Sequence, residues 1–191
     1  MSLIAICGFQ GSGKDTLANI LIEKGYTKVS FAGLLKDVVA TIFTWNRDLL
    51  EGTTEKSRKW RETVDDWWST RLNIPNLTPR YVLQQIGTDV FRNHFHPDIW
   101  VAAIERKISN MSGVVITDCR FPNEIEMIKK LNGSLIHIVR GELPSWFGID
   151  IPKDIHISEL LWTKYKFDKT INNNKDIKHL KSELINFLNG E

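Results

Sequence analysis

The chain has 191 residues, 42% of them hydrophobic, with 25 lysines and arginines against 23 aspartates and glutamates, a net charge of +2. That length and apolar content suit one compact α/β domain, and the near balance of charge gives no bulk attraction to nucleic acid or a membrane surface. Two cysteines on apolar strand patterns, Cys7 and Cys119, and the lack of a stretch long enough for a secretory or membrane-spanning segment point to a reducing cytoplasm.

Leu3–Cys7 is an apolar run that reads as a strand and feeds directly into Gly8-Phe9-Gln10-Gly11-Ser12-Gly13-Lys14-Asp15-Thr16. A strand, a glycine-rich turn and a lysine at a helix start together form the arrangement that holds a nucleoside triphosphate. The glycines let backbone N–H groups converge on phosphate oxygens, Lys14 adds a mobile cation, and the helix dipole favours an anion there. Gly11, Ser12, Gly13, Lys14, Asp15 and Thr16 are thus the expected binding residues for a nucleoside triphosphate. The alternative is a plain strand-to-helix turn that happens to be rich in glycine. The hydroxyl that meets Mg²⁺ usually follows the lysine directly, but here Asp15 holds that place and Thr16 comes one residue later. Asp15 beside a triphosphate is repulsive unless metal or water intervenes or the side chain turns away. Asp15 and Thr16 are both candidates for the metal site.

Leu17, Ala18, Ile20 and Leu21 keep helical spacing up to Gly25; Lys28–Phe31 reads as a short strand and Leu34–Phe43 as a helix. From Thr54, Trp60, Val64, Trp67 and Trp68 form an amphipathic stripe, either core or the seam of a homodimer. Thr78 as N-cap with Pro79 after it starts another helix. On a continuous helix Arg80, Gln84 and Thr88 share one face, suited to a phosphate and a base edge, although an exposed polar face would look the same. His94, His96 and Asp98 lack any zinc spacing and read as capping or packing groups before a helix over 98–108.

Gly113–Asp118 reads as a buried strand ending in an acid. In a protein with this glycine turn, Asp118 acts on Mg²⁺ directly or through water, or else caps the next helix. Arg120 is placed to stabilise charge on a transferring phosphoryl group. A helix with Ile125, Ile128 and Leu131 follows, then a strand over Ser134–Val139 that ends at Arg140. Residues 141–155, with Pro144, Gly148 and Pro152, read as a loop or flap. Lys169–Ile171 is a late strand and Ile177, Leu180, Leu184 and Leu188 mark the closing helix. Alternating strands and helices imply a three-layer α/β fold, a parallel sheet of about five strands flanked by helices, with ligand beyond the strands' carboxyl ends. The expected organisation is a single domain over 1–191. It carries a helical insertion for the second substrate at about 32–112 and a lid-like segment at about 140–160.

Four blocks now combine: the glycine turn with Lys14-Asp15-Thr16; Ser30-Phe31-Ala32 with Leu35-Lys36; Leu83-Gln84-Gln85 with Gly87-Thr88 and Arg92; and Asp118 with Arg120-Phe121-Pro122-Asn123-Glu124. Together they resemble the deoxynucleoside monophosphate kinases of bacteriophages, a branch of the P-loop nucleoside monophosphate kinases. The resemblance continues to Ile171-Asn172-Asn173. It implies ATP-dependent phosphorylation of deoxynucleoside 5′-monophosphates to diphosphates, with Mg²⁺, and no nucleic-acid or membrane partner. It also implies that Lys36, Arg80 and Arg92 reach the monophosphate, that Phe121 or a nearby aromatic stacks on the base, and that Asn172 and Asn173 approach adenine. Lys14, Asp118, Arg120 and Arg140 are the catalytic assignments. One departure is that 140–160 offers only Arg140 and Lys153 as fixed cations, where adenylate kinase carries several lid arginines. The rival readings are a kinase of another small phosphomonoester, of the phosphomevalonate or dephospho-coenzyme A type, and a non-kinase P-loop ATPase module.

Overall fold

The computed structural model describes residues 1–144, 147 and 158–190, which form two compact units: Met1–Ser30 with Glu105–Glu191, and Phe31–Ile104. Most of the lid-like segment, with Lys153, lies outside the described residues.

The first unit is built on five strands, β1 (Ser2–Cys7), β2 (Thr27–Val29), β3 (Gly113–Ile116), β4 (Ser134–Val139) and β5 (Lys169–Asn172). Their order is β2-β3-β1-β4-β5 and every pairing is parallel, with Ile4 opposite Val115 and Ile6 opposite Ile136. The expected parallel sheet is therefore present. Leu3 to Cys7 are all buried, so the central strand is apolar on both faces instead of alternating. Helix α1 (Lys14–Glu23) packs Leu17 and Leu21 onto it. The strand expected over Lys28–Phe31 stops at Val29, because Phe31 is the buried first residue of the next helix.

The second unit holds α2 (Phe31–Phe43), α3 (Arg47–Glu51), α4 (Glu55–Arg61), α5 (Asp66–Leu72) and α6 (Pro79–Gln84). A π-helix (Gln85–Phe95) follows, then α7 (Ile99–Ile108), in which the chain passes back to the first unit. The stripe from Thr54 is two helices where the spacing suggests one. Thr54 does start α4, its side chain accepting from Ser57 N at 3.1 Å while Ser57 Oγ accepts from Thr54 N at 3.0 Å. But Asp65 starts a new helix by accepting from Trp68 N at 3.0 Å, and a residue that caps leaves the preceding turn unsupported. The break lets Trp60 and Trp68 pack with Val39, Phe43, Leu50, Leu77 and Val82, while Trp67 is 63% exposed.

α6 begins as expected, with Thr78 Oγ accepting from Tyr81 N at 3.1 Å and Pro79 in its first turn. From Gln85 the turns widen; at the end His96 N donates five residues back, to Phe91 O at 2.9 Å. The spacing that would stack Arg80, Gln84 and Thr88 on one α-helical face therefore fails beyond Gln84. Gly87 belongs to this widened stretch: it is buried, an added Cβ would stand 2.5 Å from Leu35, and its carbonyl accepts from the Trp100 indole at 3.0 Å.

The chain then forms α8 (Pro122–Lys130), α9 (Ser158–Leu161), a 3₁₀ turn (Trp162–Lys164) and α10 (Ile177–Asn189). Leu180 and Leu184 of α10 join α1 in the core of the sheet unit. Among the described residues no helix is long and apolar enough to cross a membrane.

Candidate active site

β1 ends at Cys7 and α1 starts at Lys14, so residues 8–13 make the turn between them. A Cβ on Gly8 would collide with the Ile138 carbonyl of β4 and stand 2.7 Å from Ser12 Oγ. Gly13, at φ 102°, lies in the left-handed region, and a Cβ there would collide with the Asn173 side chain. No side chain caps α1, so its first N–H groups are left for an anion. Ser12 is 5% exposed and its hydroxyl has no hydrogen-bond partner among the described residues. A bare-backbone cradle around an unpartnered hydroxyl fits a phosphate chain.

Two side chains hold this turn. Lys14 Nζ donates to Gly8 O at 2.7 Å and Phe9 O at 2.9 Å. Asn173, just past β5, donates from its backbone to Val139 O at 2.7 Å and from its amide to Ser12 O at 2.9 Å. Next to it, Asn174 accepts from Gly141 N at 2.6 Å. Asn173 therefore grips the turn, while Asn172 is exposed at the end of β5. Gly11 is exposed within the turn and Thr16 on the first turn of α1.

Asp15 turns toward β2 and β3: its carboxylate pairs with Lys28 at 2.7 Å and accepts from Thr117 Oγ at 3.5 Å. Lys28 offsets the charge that would otherwise repel a triphosphate. Asp118, beyond β3, is half-buried and accepts from Ser30 Oγ at 2.7 Å. Arg120 is exposed and Phe121 half-buried, and both are set by a residue that sequence reasoning left without a role. Glu124, 1% exposed, accepts from Arg120 N at 2.7 Å and Phe121 N at 3.0 Å. Arg140 is exposed after β4 and lines a cavity of about 120 Å³ with Phe9, Gln10, Ser12 and His137. His137 packs against Trp162 and Phe167, with ring centroids 5.2 and 5.0 Å away, and burial lowers its pKa.

Cys7 and Cys119 are buried and unbridged, and Cys7 Sγ donates to Cys119 O at 3.7 Å. The hydrogen bond with Cys7, then burial, pushes the Cys119 thiol well above its usual range, which keeps it unreactive.

In the second unit Lys36 is committed to Glu51 at 2.7 Å, with only 13% of its side chain exposed. Arg47 reaches the other oxygen of Glu51, and also Asp37. Burial would raise the Glu51 carboxyl, but hydrogen bonds from Lys36 and Arg47 outweigh it and hold it below its ordinary range. Arg80 is half-exposed and pairs with Glu62 at 3.2 Å. Gln84 is exposed; Thr88 and Arg92 are half-buried on the π-helix. His96 accepts from Asp98 N at 3.0 Å, the capping role expected for it, and no cluster able to hold a metal occurs among the described residues.

A family model described as deoxynucleotide monophosphate kinase matches residues 53–184. The chain belongs to that family. A protein of Acanthamoeba polyphaga mimivirus assigned as a deoxynucleotide monophosphate kinase is 34% identical over 201 residues, covering 97% of this chain and 95% of its own length. The deoxynucleoside-5′-monophosphate kinase of Escherichia phage T5 is 32% identical over 118 residues, or 58% of this chain and 46% of the phage protein. Among solved structures, dephospho-CoA kinase from Campylobacter jejuni superposes with a TM-score of 0.50 at 15% identity, covering 99% of this chain and 96% of its own; that likeness is one of fold alone.

For this deoxynucleotide monophosphate kinase family member, sequence reasoning gave no role to Ser30, Glu124 or the Arg47–Glu51 pair, and did not foresee Asn173 as a strap on the turn. Only Glu124 left a readable trace, three residues after Phe121 at the start of a helix, where a capping carboxylate belongs. Ser30 and Asn173 act across long sequence separations, on Asp118 and Ser12, while Arg47 and Glu51 are one helical turn apart.

Proposed function

We propose that this chain transfers the γ-phosphoryl group of ATP to the 5′-phosphate of a deoxynucleoside monophosphate, giving ADP and the deoxynucleoside diphosphate. The bond from γ-phosphorus to the bridging oxygen breaks and a bond to an acceptor phosphate oxygen forms. The second pKa of a phosphomonoester is about 6, so near neutral pH the attacking oxygen is already anionic and no general base is needed. What remains is positioning and charge stabilisation. The turn's backbone and Lys14 hold the donor phosphates, and Asn172 lies toward adenine. Arg120 and Arg140 stabilise charge on the transferring group. Lys36, Arg80 and Arg92 hold the acceptor phosphate, with Gln84 against its base. When bound, Mg²⁺ neutralises phosphate oxygens, and Thr16, Asp118 and, through water, Asp15 would hold it.

One observation carries this reading: the family match, on a chain whose glycine turn is built as a phosphate cradle. The test is to offer ATP and Mg²⁺ with each common deoxynucleoside and nucleoside monophosphate, and with phosphomevalonate and dephospho-coenzyme A, and to measure phosphorylated product. At least one deoxynucleoside monophosphate is converted to its diphosphate. Conversion of the non-nucleotide acceptors alone, or ATP hydrolysis indifferent to acceptor, overturns the proposal.

A further inference from the structure

Arg61 ends α4 and matches none of the site assignments above. Its guanidinium lies flat against Gly52, so closely that a Cβ at that position would occupy the same space. Gly52, in the left-handed conformation at φ 68°, closes α3 and leaves the room. Arg61 is half-buried, its Nε is covered without a partner, and among the described residues no hydrogen bond or ion pair reaches the guanidinium.

The surroundings sharpen this. The charged groups that act on Arg61 are Arg80, Glu62, Glu51 and Arg58. Both carboxylates are already committed, Glu62 to Arg80 and Glu51 to Lys36 and Arg47. Arg58 points to the Thr53 carbonyl at 3.2 Å. Burial first, and the charge of Arg80 second, lower the pKa of Arg61. A half-buried guanidinium packed on Gly52, with its Nε covered and no acceptor supplied by the fold, is a costly arrangement that calls for an anion. A guanidinium fork matches the oxygens of a phosphomonoester dianion, and the charge of Arg80 acts at the same place.

We infer that Arg61 is a further binding residue for the acceptor's 5′-phosphate, shared with Arg80, and that Gly52 is a glycine so that the Arg61 guanidinium can lie there. The inference rests on the deoxynucleoside monophosphate reading given above. Arg61 is thereby a residue of monophosphate affinity, not of ATP binding.

The test compares wild type, Arg61→Gln and Arg61→Lys with the best acceptor of the four common deoxynucleoside monophosphates. Arg61→Gln raises KM for the monophosphate at least tenfold, the scale of a lost charge-assisted contact, and leaves KM for ATP within about twofold. Arg61→Lys falls between the two. The affinity ratio of monophosphate to its parent nucleoside, measured by calorimetry, narrows in Arg61→Gln; a merely structural role would weaken both ligands alike. If Arg61→Gln does not fold, Arg61→Lys and its ratio decide. Both variants within twofold of wild type in KM and in ratio overturn the inference. A wild type that turns over no deoxynucleoside monophosphate sinks the acceptor reading instead. Inorganic phosphate, followed by ³¹P line width, then still tests the Arg61 site: broadening in wild type that is lost in Arg61→Gln supports it, and equal spectra overturn it.

Discussion

The two units hold their charged groups in different ways. In the sheet unit the phosphate cradle is backbone: Gly8 and Gly13 lie where a Cβ would collide, and Lys14, Asn173 and Glu124 all bind main-chain groups. In the helical unit Lys36 and Arg47 are held by Glu51 and Arg80 by Glu62, cation by acid side chain. Backbone cradles tolerate little change in residue type, whereas an ion-pair network can exchange one acid for an incoming anion. The first arrangement suits a phosphate chain common to every turnover. The second suits an acceptor that must be caught and released.

The largest effect follows from removing the cradle's cation. Lys14→Ala lowers kcat for diphosphate formation by roughly a hundred- to a thousandfold, the scale of one lost preorganised donor to a developing charge. Turnover close to wild type would take the glycine turn out of the reaction. Next comes the buried acid of the same unit. Glu124→Ala takes this acceptor from two part-buried N–H groups and costs about 1–3 kcal/mol of stability, read as the denaturant midpoint. A loss under about 1 kcal/mol would mean that the 118–124 loop is held by something else.

These two predictions also mark what could be read from the chain alone. Lys14 was legible because strand, glycines and lysine are consecutive, and the sheet because Leu3–Cys7 and Gly113–Ile116 are unbroken apolar runs. The grip of Asn173 on Ser12 could not be read from the chain, since it spans 161 positions and has no periodic signature. The helical unit was legible at its starts, Thr54 and Thr78, and not in its turns. Asp65 breaks the tryptophan stripe, and the π-helix displaces Thr88 from the face of Arg80 and Gln84. Caps are local chemistry. Helix widening is decided by packing of Gly87 and Trp100, which no spacing rule contains.

On the helical side the comparison predicts a milder loss. Arg80→Ala removes one exposed guanidinium and raises KM for the monophosphate about tenfold, with kcat and KM for ATP little changed. An equal fall in kcat would assign Arg80 to the transition state and erase the distinction between a rigid cradle and an exchangeable network.

The smallest effect separates the units by pH. Burial lowers the pKa of His137 from 6.5, so the unfolded chain binds this proton at a higher pH than the folded one. Its contribution to stability is full above about 6.5 and is lost as pH falls through the lower folded value. Glu51 is depressed from 4.5, so the contribution of its ion pairs persists until pH falls below that range. Acidification from pH 7 to 5 therefore favours the proton on His137 in the unfolded chain while the Glu51 network stays charged, and the sheet unit weakens before the helical one. Amide exchange followed by mass spectrometry at pH-corrected rates reads this directly, with protection lost first in peptides from β4 and β5. His137→Phe keeps the ring stack with Trp162 and Phe167 and flattens that early slope. Simultaneous loss in both units, or an unchanged slope in the variant, would show that the titrating group lies elsewhere.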